Sequence, residues 1–285
     1  ELAAKGFEPL AVTDCLNFGN PERVPVMSSF VASLKGMSAV CRTLVTPIIS
    51  GNVSFYNETE GRNITPTPST GVVGLRPSVN AIPKSAFSRN GDKVYLLRWK
   101  LLACNGVLAE LAQDERKAIG DLTSAEALNS LKAAVETLRR LTSDDTAQVS
   151  SSRVVGKFGL AYALSRMCLG GGREGGLGLR VKAEALPALK WSAQDTRDVG
   201  ELLFAENSYE VVLASREDVV KFQSRVAAIA VEAEVSAPEI VELGEVTGSA
   251  LSFEAGHTLA RQLEIPVKRM RETYEAGWQK AFRLK

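Results

Sequence analysis

The chain has 285 residues and a mass of 30.6 kDa, which is enough for two domains at roughly 100 to 200 residues each. Its content of 45% hydrophobic and 24% charged residues is typical of globular proteins and excludes disordered and fibrous classes. The formal net charge is +1, so overall charge gives no preference for nucleic acid or an anionic membrane.

Cysteine and histidine usage argues against a structural zinc site. The four cysteines are far apart, and the one histidine, His257, has no clustered ligand beside it. This pattern favours a reduced, cytoplasmic protein, and we expect no signal peptide and no membrane helix. The segment Glu1–Gly6 resembles the last turn of a helix that ends at glycine, which suggests that the natural polypeptide continues upstream.

The first 100 residues alternate short apolar runs with one long amphipathic segment. Apolar residues three or four apart predict a helix from Val26 to just before Val45. Strands are predicted at Pro9–Thr13, Val45–Ser50, Gly71–Leu75 and Lys93–Leu97. We therefore expect residues 1–100 to form part of a nucleotide-binding α/β domain.

The rest of the chain predicts a connection followed by a second domain. Residues 101–152 are expected to be a helical connection, with helices at Leu101–Gln113 and after a capping box at Thr123–Glu126, and a polar link at Ser143–Ser152. Residues 153–285 are expected to form a second α/β domain. Its predicted elements are helices at Gly159–Cys168, at Glu217–Ala233 and from about Pro266, and strands at Leu177–Val181 and Tyr209–Ala214. The fold class is thus α/β, with layered α+β character.

A carboxylate and a loop rich in asparagine and glycine follow the first predicted strand, in Thr13–Pro21. Asp14 lies at the predicted end of that strand, where ligand sites are common. One interpretation is that Asp14 caps the next element and the loop residues form turns. The other makes Asp14 a nucleotide contact.

A second polar segment, Ser50–Thr59, follows a predicted buried strand. In extended backbone Asn52 and Ser54 lie on one side of the strand. Gly51 would allow close approach of a phosphate or ribose, and an asparagine oxygen is an acceptable magnesium ligand. The alternative is an edge strand with a solvated face, whose turn is formed by residues 57–61.

Both segments belong to a longer pattern that resembles phosphoribosylformylglycinamidine synthase, in particular the second half of its bacterial synthetase subunit. The pattern comprises AVTDCLNFGNP at Ala11–Pro21, SGNVSFYNETEG at Ser50–Gly61, Pro66–Pro68 and Gly71–Leu75, and more weakly Ile265–Trp278. The resemblance implies a fold of the aminoimidazole ribonucleotide synthetase type. It also implies that Asp14 and Gly51 contact ATP, that Asn52 contacts Mg²⁺, and that Ser54 contacts formylglycinamide ribonucleotide.

The reaction implied by the resemblance is an ATP-dependent amidine synthesis. ATP phosphorylates the amide oxygen of the substrate, and ammonia from a glutaminase partner displaces the phosphate. The family's catalytic histidines and main acidic magnesium ligands lie in an amino-terminal half outside this sequence, so that half is an implied partner. We therefore expect this chain alone to be inactive.

One segment departs from the family pattern. Where the family has AHDVSDGGL, this chain has SRVVGKFGL at Ser152–Leu160, with Arg153, Val154 and Lys157 in place of the histidine and both aspartates. The two cations could form an anion pocket, or the segment could be a loosened loop. The glycine-rich Gly170–Gly178 favours a flexible connection over a phosphate loop, and Glu206 is a further candidate for a polar contact.

Two other functions stay open on the sequence. The altered segment and the implied missing half are also consistent with a non-catalytic interaction or scaffold protein that retains the fold. A related ATPase that forms an amidine or a carbamoyl group is the third alternative.

Overall fold

A computed structural model gives the structure of the protein. It describes residues 1–99, 122–143, 146, 148–170, 175–190, 198–206, 209–256, 259 and 261–281. The predicted helix at Leu101–Gln113, His257 and the middle of the glycine-rich segment Gly170–Gly178 lie outside the described residues.

A small three-stranded sheet forms the first unit. Its elements are a short 3-10 helix at Ala3–Lys5, β1 at Glu8–Asn17, α1 at Val24–Leu44, β2 at Ile48–Ser54, β3 at Glu58–Thr59, β4 at Arg62–Asn63 and β5 at Thr67–Leu75. The strand order is β2-β1-β5, with β1 parallel to β2 and antiparallel to β5. β1 runs further than predicted, so Asp14 lies within the strand and not at its end.

Helix α1 covers one face of this sheet. Phe18, Phe30 and Phe55 bring the loop after β1, the helix and the end of β2 into one small core, with ring centroids 5.0 to 6.4 Å apart. The helix also has the length and composition of a membrane span, with a mean hydropathy of 1.3. That corrects the expectation that no segment is long and apolar enough, although a helix that covers a sheet passes the same test.

The polar segment after β2 ends in a tight hairpin. β3 and β4 pair antiparallel through Glu60 and Gly61, which have φ angles of 49° and 73°. Two consecutive positive φ angles characterise a type I′ turn, which matches the twist of paired strands. The turn predicted within residues 57–61 is thereby confirmed.

A seven-stranded sheet between two helical layers forms the second unit. Its elements are β6 at Lys93–Arg98, α2 at Ala125–Thr142, β7 at Val149–Val154, α3 at Gly159–Leu169, β8 at Leu179–Val181, α4 at Ala185–Ala188, α5 at Val199–Phe204, β9 at Glu210–Ser215, α6 at Val219–Glu232, β10 at Glu239–Val246, β11 at Ala250–Phe253, β12 at Leu263–Pro266 and α7 at Val267–Ala281. The order is β12-β11-β8-β10-β6-β9-β7, and within the described part of this sheet β8 and β11 are the one parallel pair of strands.

The two faces of this sheet bury alternate residues of its strands. Tyr95 and Leu97 pack towards α2 and α6, where the Tyr95 ring stacks on Phe222 at 4.2 Å between centroids. Val94 and Leu96 pack towards α3 on the opposite face. This alternation is the period of two that a strand buried on both sides requires.

The structure corrects three sequence predictions, two about strands and one about the beginning of a helix. β6 pairs with β9 and β10, so the division expected near residue 100 lies before Lys93. β7 occupies the predicted polar link, because the hydroxyl groups of Ser151 and Ser152 are buried and donate to the carbonyls of Ala86 and Ala4. The N-cap of α2 is Ser124, one residue later than the predicted capping box.

Buried cations join the two units. Arg76, 6% exposed, follows β5 and donates to the carbonyls of Lys5, Ser78, Asn80 and, on α2, Thr142. The ammonium of Lys5 donates to two carbonyls, of Pro83 at 2.9 Å and of Ser152 at 2.7 Å. The small sheet is therefore held against α2 and β7 by hydrogen bonds from charged donors.

Candidate functional site

Asp14 and Gly51 are neighbours on the parallel strands β1 and β2. They are paired in register, and a Cβ atom built on Gly51 would lie 2.0 Å from Oδ1 of Asp14. The carboxylate therefore occupies the space that the missing side chain leaves. On this face, a phosphate or ribose that approaches Gly51 as predicted would meet the Asp14 carboxylate.

Asn52 and Ser54 lie on the other face of the same strand pair. Asn52 pairs with Cys15 and Ser54 with Asn17, and side chains alternate between faces along each strand. Ser69 of β5 pairs with Cys15 from the other side. The open face at the carboxyl ends of β1 and β2 is thus lined by hydroxyl, amide and thiol groups.

The sequence-predicted site residues therefore form two pairs separated by the sheet. Asp14 and Gly51 are on the α1 side, whereas Asn52 and Ser54 are on the open side. β2 is the edge strand of the described sheet, and Asn52 is exposed while Ser54 is half-buried. A ligand that reaches round this edge can contact both pairs.

Two asparagines that the sequence analysis did not single out hold the site's loops. The Asn57 amide donates to the carbonyls of Phe18 and Ser54 at 2.9 and 3.0 Å and lies 3.1 Å from the Ser54 hydroxyl. Oδ1 of Asn63 accepts from the backbone N–H of Asn20 at 2.8 Å. Their signal in the sequence is the asparagine-rich turn composition, which predicts local hydrogen bonds to the backbone.

The donor atoms on the open face are compatible with one protein contact to magnesium. Asn52 and Ser54 offer amide and hydroxyl oxygens, the hard donors that Mg²⁺ takes. Within the described residues there is no group of three or more His, Cys, Asp or Glu side chains that could hold a metal ion. Asp14, on the opposite face, does not join these donors, so phosphates, water or other protein groups would have to complete the coordination.

The altered segment Ser152–Leu160 is a fixed turn and not a loosened loop. Val155 is fully buried and its N–H donates to the carbonyl of Glu210. Phe158 has a φ angle of 67°, and its N–H donates to Oε1 of Glu206 at 3.0 Å. Glu206 thus makes a polar contact within the protein, at the first turn of α3, where a carboxylate is favourable.

Comparison with protein families gives matches over both units. The family described as AIR synthase related protein, N-terminal domain, matches residues 1–76. AIR synthase related protein, C-terminal domain, matches residues 89–254. The gap between the two matches contains the division that strand pairing places before Lys93.

Curated relatives resemble nearly the whole chain. Phosphoribosylformylglycinamidine synthase subunit PurL of Anaeromyxobacter sp. (strain Fw109-5) is 34% identical over 281 residues, which are 97% of this chain and 33% of the relative. The same subunit of Anaeromyxobacter dehalogenans (strain 2CP-C) is 32% identical over 283 residues, 97% of this chain and 34% of the relative. The chain therefore spans about a third of the length of these relatives.

Solved structures share the fold at low sequence identity. T. maritima PurL complexed with ATP has a TM-score of 0.63 and 16% identity, covering 94% of this chain and 38% of that one. T. maritima PurL complexed with FGAR has a TM-score of 0.64 and 17% identity, covering 94% and 40%. The hydrogenase maturation protein HypE has a TM-score of 0.59 and 15% identity, covering 92% and 77%.

Proposed function

The chain belongs to the AIR synthase related family, and from this membership we propose that it is the carboxy-terminal part of a phosphoribosylformylglycinamidine synthase. The single observation that carries the proposal is the similarity to PurL over 97% of the chain at 31 to 34% identity. The proposed reaction converts formylglycinamide ribonucleotide to its amidine with ATP and ammonia, in the cytoplasm. The enzyme class is thus a ligase of purine biosynthesis.

In the proposed reaction, the side chains of this chain would position the substrates and would not themselves react. An amide is a poor electrophile, so phosphorylation of its oxygen by ATP provides the leaving group that ammonia displaces. The enzyme's task is then to align the phosphoryl group and neutralise its charge. Magnesium, when bound, would supply the charge neutralisation beside the phosphates.

The two pairs of site residues have separate roles in this proposal. Asp14, held over Gly51 on the α1 side, is a hydrogen-bond acceptor for ATP. Asn52 offers an amide oxygen to the metal, and Ser54 orients the ribonucleotide from the open face. The amide group of Asn57 contacts the hydroxyl and the carbonyl of Ser54 at 3.0 to 3.2 Å. The Ser54 side chain is therefore held in position before a ligand binds.

The partners proposed for this chain are an amino-terminal half of the synthetase and a glutaminase. The relatives support the first of these partners, because the chain covers only 33 to 34% of their length. The described residues also bring no cluster of acids to the candidate site, so acidic magnesium ligands would have to come from elsewhere. Among the solved neighbours, PurLQS of Thermotoga maritima motivates a partner that delivers ammonia.

The deciding experiment measures phosphate release and amidine formation with ATP, Mg²⁺, ammonia and formylglycinamide ribonucleotide. The 285-residue chain alone is expected to be inactive, and the chain joined to the amino-terminal half of a PurL relative is expected to turn over. In the joined enzyme Asp14→Ala should mainly raise KM for ATP, whereas Ser54→Ala should mainly raise KM for the ribonucleotide. An active isolated chain, or an inactive joined enzyme that is folded, would contradict the proposal.

A second candidate is a scaffold protein that keeps the fold without catalysis. It is favoured by one observation, the replacement of the family's histidine and both aspartates by Arg153, Val154 and Lys157 in Ser152–Leu160. Calorimetry of MgATP binding to the joined protein separates the two functions. Binding that Asn52→Ala and Asp14→Ala both weaken supports the synthetase, whereas no binding at millimolar nucleotide supports the scaffold.

A further inference from the structure

A group of cations lies where β7 ends and α3 begins. Arg153 leaves the end of β7 and donates to the carbonyl of Ser85 at 3.3 Å. The ammonium of Lys5 reaches the same strand end, 2.7 Å from the carbonyl of Ser152, and Lys84 adjoins β7 through an isolated bridge to Ser151. Arg166 extends from α3, and its guanidinium stacks on the Tyr274 ring of α7 at 4.2 Å.

These cations lie close enough to repel one another. Burial and then the charge of Arg166 lower the pKa of Arg153. Burial is the main reason that the pKa of Lys5 falls to about 8; Glu1 opposes this fall, and the charges of Arg153 and Lys84 contribute to it. Glu1 is the acid that acts on both groups, and it is exposed. Around Lys5, the two cations Arg153 and Lys84 outnumber the one acid that acts on it.

Arg166 has an unused donor inside this group. Its Nε is buried and has no hydrogen-bond partner among the described residues, although a buried guanidinium nitrogen usually has one. Tyr162 lies one helical turn before Arg166, and both Tyr162 and Tyr274 lie close enough to Arg153 to influence its pKa. Guanidinium groups are forked donors that match the oxygen atoms of a phosphate group.

We propose that Arg153, Arg166 and Lys5 form a binding site for a phosphate-bearing anion at the junction of β7 and α3. An anion there would accept from the guanidinium groups, use the free Nε of Arg166 and offset the repulsion between the cations. Because the three side chains are cations, the site prefers the anion itself and not a metal ion. The inference does not depend on the proposed function.

The test is calorimetry of inorganic pyrophosphate binding to the 285-residue chain without divalent cations. Saturable binding is expected, and Arg153→Gln and Arg166→Gln should each weaken it about tenfold or more, because each removes a charged hydrogen-bond donor. Arg42→Gln, which removes an exposed charge from α1, is the matched control and should bind as the original chain does. Asp14→Ala should also leave pyrophosphate binding unchanged, which separates this site from the proposed ATP contact.

A stability measurement makes the proposal testable even where binding is weak. Without an anion, Arg166→Gln should melt at or above the temperature of the original chain, because one of two repelling guanidinium groups is gone. With pyrophosphate the order should reverse, since only the original chain gains ligand stabilisation. The absence of saturable binding, glutamine variants that both bind as tightly as the original chain, or a lower melting temperature of Arg166→Gln without anion would overturn the proposal.

Discussion

At the scale of single residues, the contact between Asp14 and Gly51 explains why the second motif contains glycine. Any side chain at position 51 would have to share space with the Asp14 carboxylate, whose Oδ1 lies 2.0 Å from the position of a Cβ atom. The glycine thus fixes where the carboxylate can lie. A close approach of backbone to side chain is one of the standard uses of glycine.

Gly51→Ala is expected to turn the Asp14 side chain away from β2. The free energy of unfolding should fall by about 1 kcal/mol, since the aspartate can move at the cost of a less favourable rotamer. Urea unfolding measures this, with Gly36→Ala as the control. Gly36 lies inside α1 with no atom within 4 Å of an added Cβ, so the control should gain roughly 0.5 to 1 kcal/mol. Equal effects of the two substitutions would contradict the contact.

Lys5 should make stability rise with pH in the alkaline range. Burial lowers its pKa to about 8 from the usual 10.5, so between these values the folded chain has lost a proton that the unfolded chain still binds. The free energy of unfolding therefore increases through that window relative to Lys5→Met, by on the order of 2 kcal/mol. Below pH 8 the difference should be flat. Urea unfolding of both chains in phosphate-free buffer checks the slope, and a difference that falls as pH rises would refute it.

At the scale of elements, the turn between β7 and α3 depends on one glycine. Gly159 has a φ angle of 73°, and an added Cβ would lie 2.6 Å from the backbone carbon of Phe204. Backbone cannot move aside as a side chain does. The beginning of α3 is therefore packed directly against the end of α5.

Gly159→Ala is expected to lower the free energy of unfolding by about 3 kcal/mol, from the strained φ angle and the overlap with Phe204 together. Gly156→Ala is the matched control three residues earlier, where an added Cβ meets no atom within 4 Å. The control should change stability by less than about 1 kcal/mol. Thermal and urea unfolding of both variants measure the difference between the two losses of stability. Equal losses would show that the turn is mobile in solution.

At the scale of the whole molecule, the first unit exposes much of its sheet. β2 and β5 form its two edges, and Ile49, Val73 and Leu75 are 64%, 56% and 63% exposed. Unpaired strand edges with apolar side chains favour association. In the proposed synthetase, the amino-terminal half would cover this surface.

The isolated chain is accordingly expected to self-associate as its concentration rises. Val73→Lys should shift the population towards monomer, because a charge on an edge strand opposes strand pairing. Val231→Lys places the same charge on α6, where valine is 78% exposed, and should not change association. Sedimentation velocity over a range of concentrations distinguishes them. A monomer at every concentration, or an equal effect of both substitutions, would show that the sheet edges do not mediate self-association.

Sequence patterns located the elements that have a strong period and missed those that do not. α1 and α3 match their predicted spans closely because apolar residues recur three or four apart. β7 was missed because three serines look like a loop, and only the tertiary partners of their hydroxyl groups make burial favourable. The domain boundary predicted near residue 100 was wrong for a related reason. The sequence of β6 predicts a strand but does not show that its partners are β9 and β10.

The residues of the candidate site were chosen from the sequence, whereas their arrangement in space could not be predicted from it. The resemblance selected Asp14, Gly51, Asn52 and Ser54, and the roles assigned to them stay predictions. Alternation along β2 placed Asn52 and Ser54 together, as the strand register also has them. The carboxylate lying over Gly51 depends on the pairing of β1 with β2, two segments separated by α1, which no local pattern specifies.

The hydrogen bonds of Arg76 that join the two units should keep the protein together after proteolytic cleavage. The arginine belongs to the first unit, while one of its acceptors, the carbonyl of Thr142, belongs to the second, and Lys5 reaches Ser152 in the same way. A cut in the exposed stretch around Val79, which is 85% exposed, would leave these hydrogen bonds in place. The two fragments of the cleaved chain should therefore elute together from a size-exclusion column and separate only in denaturant.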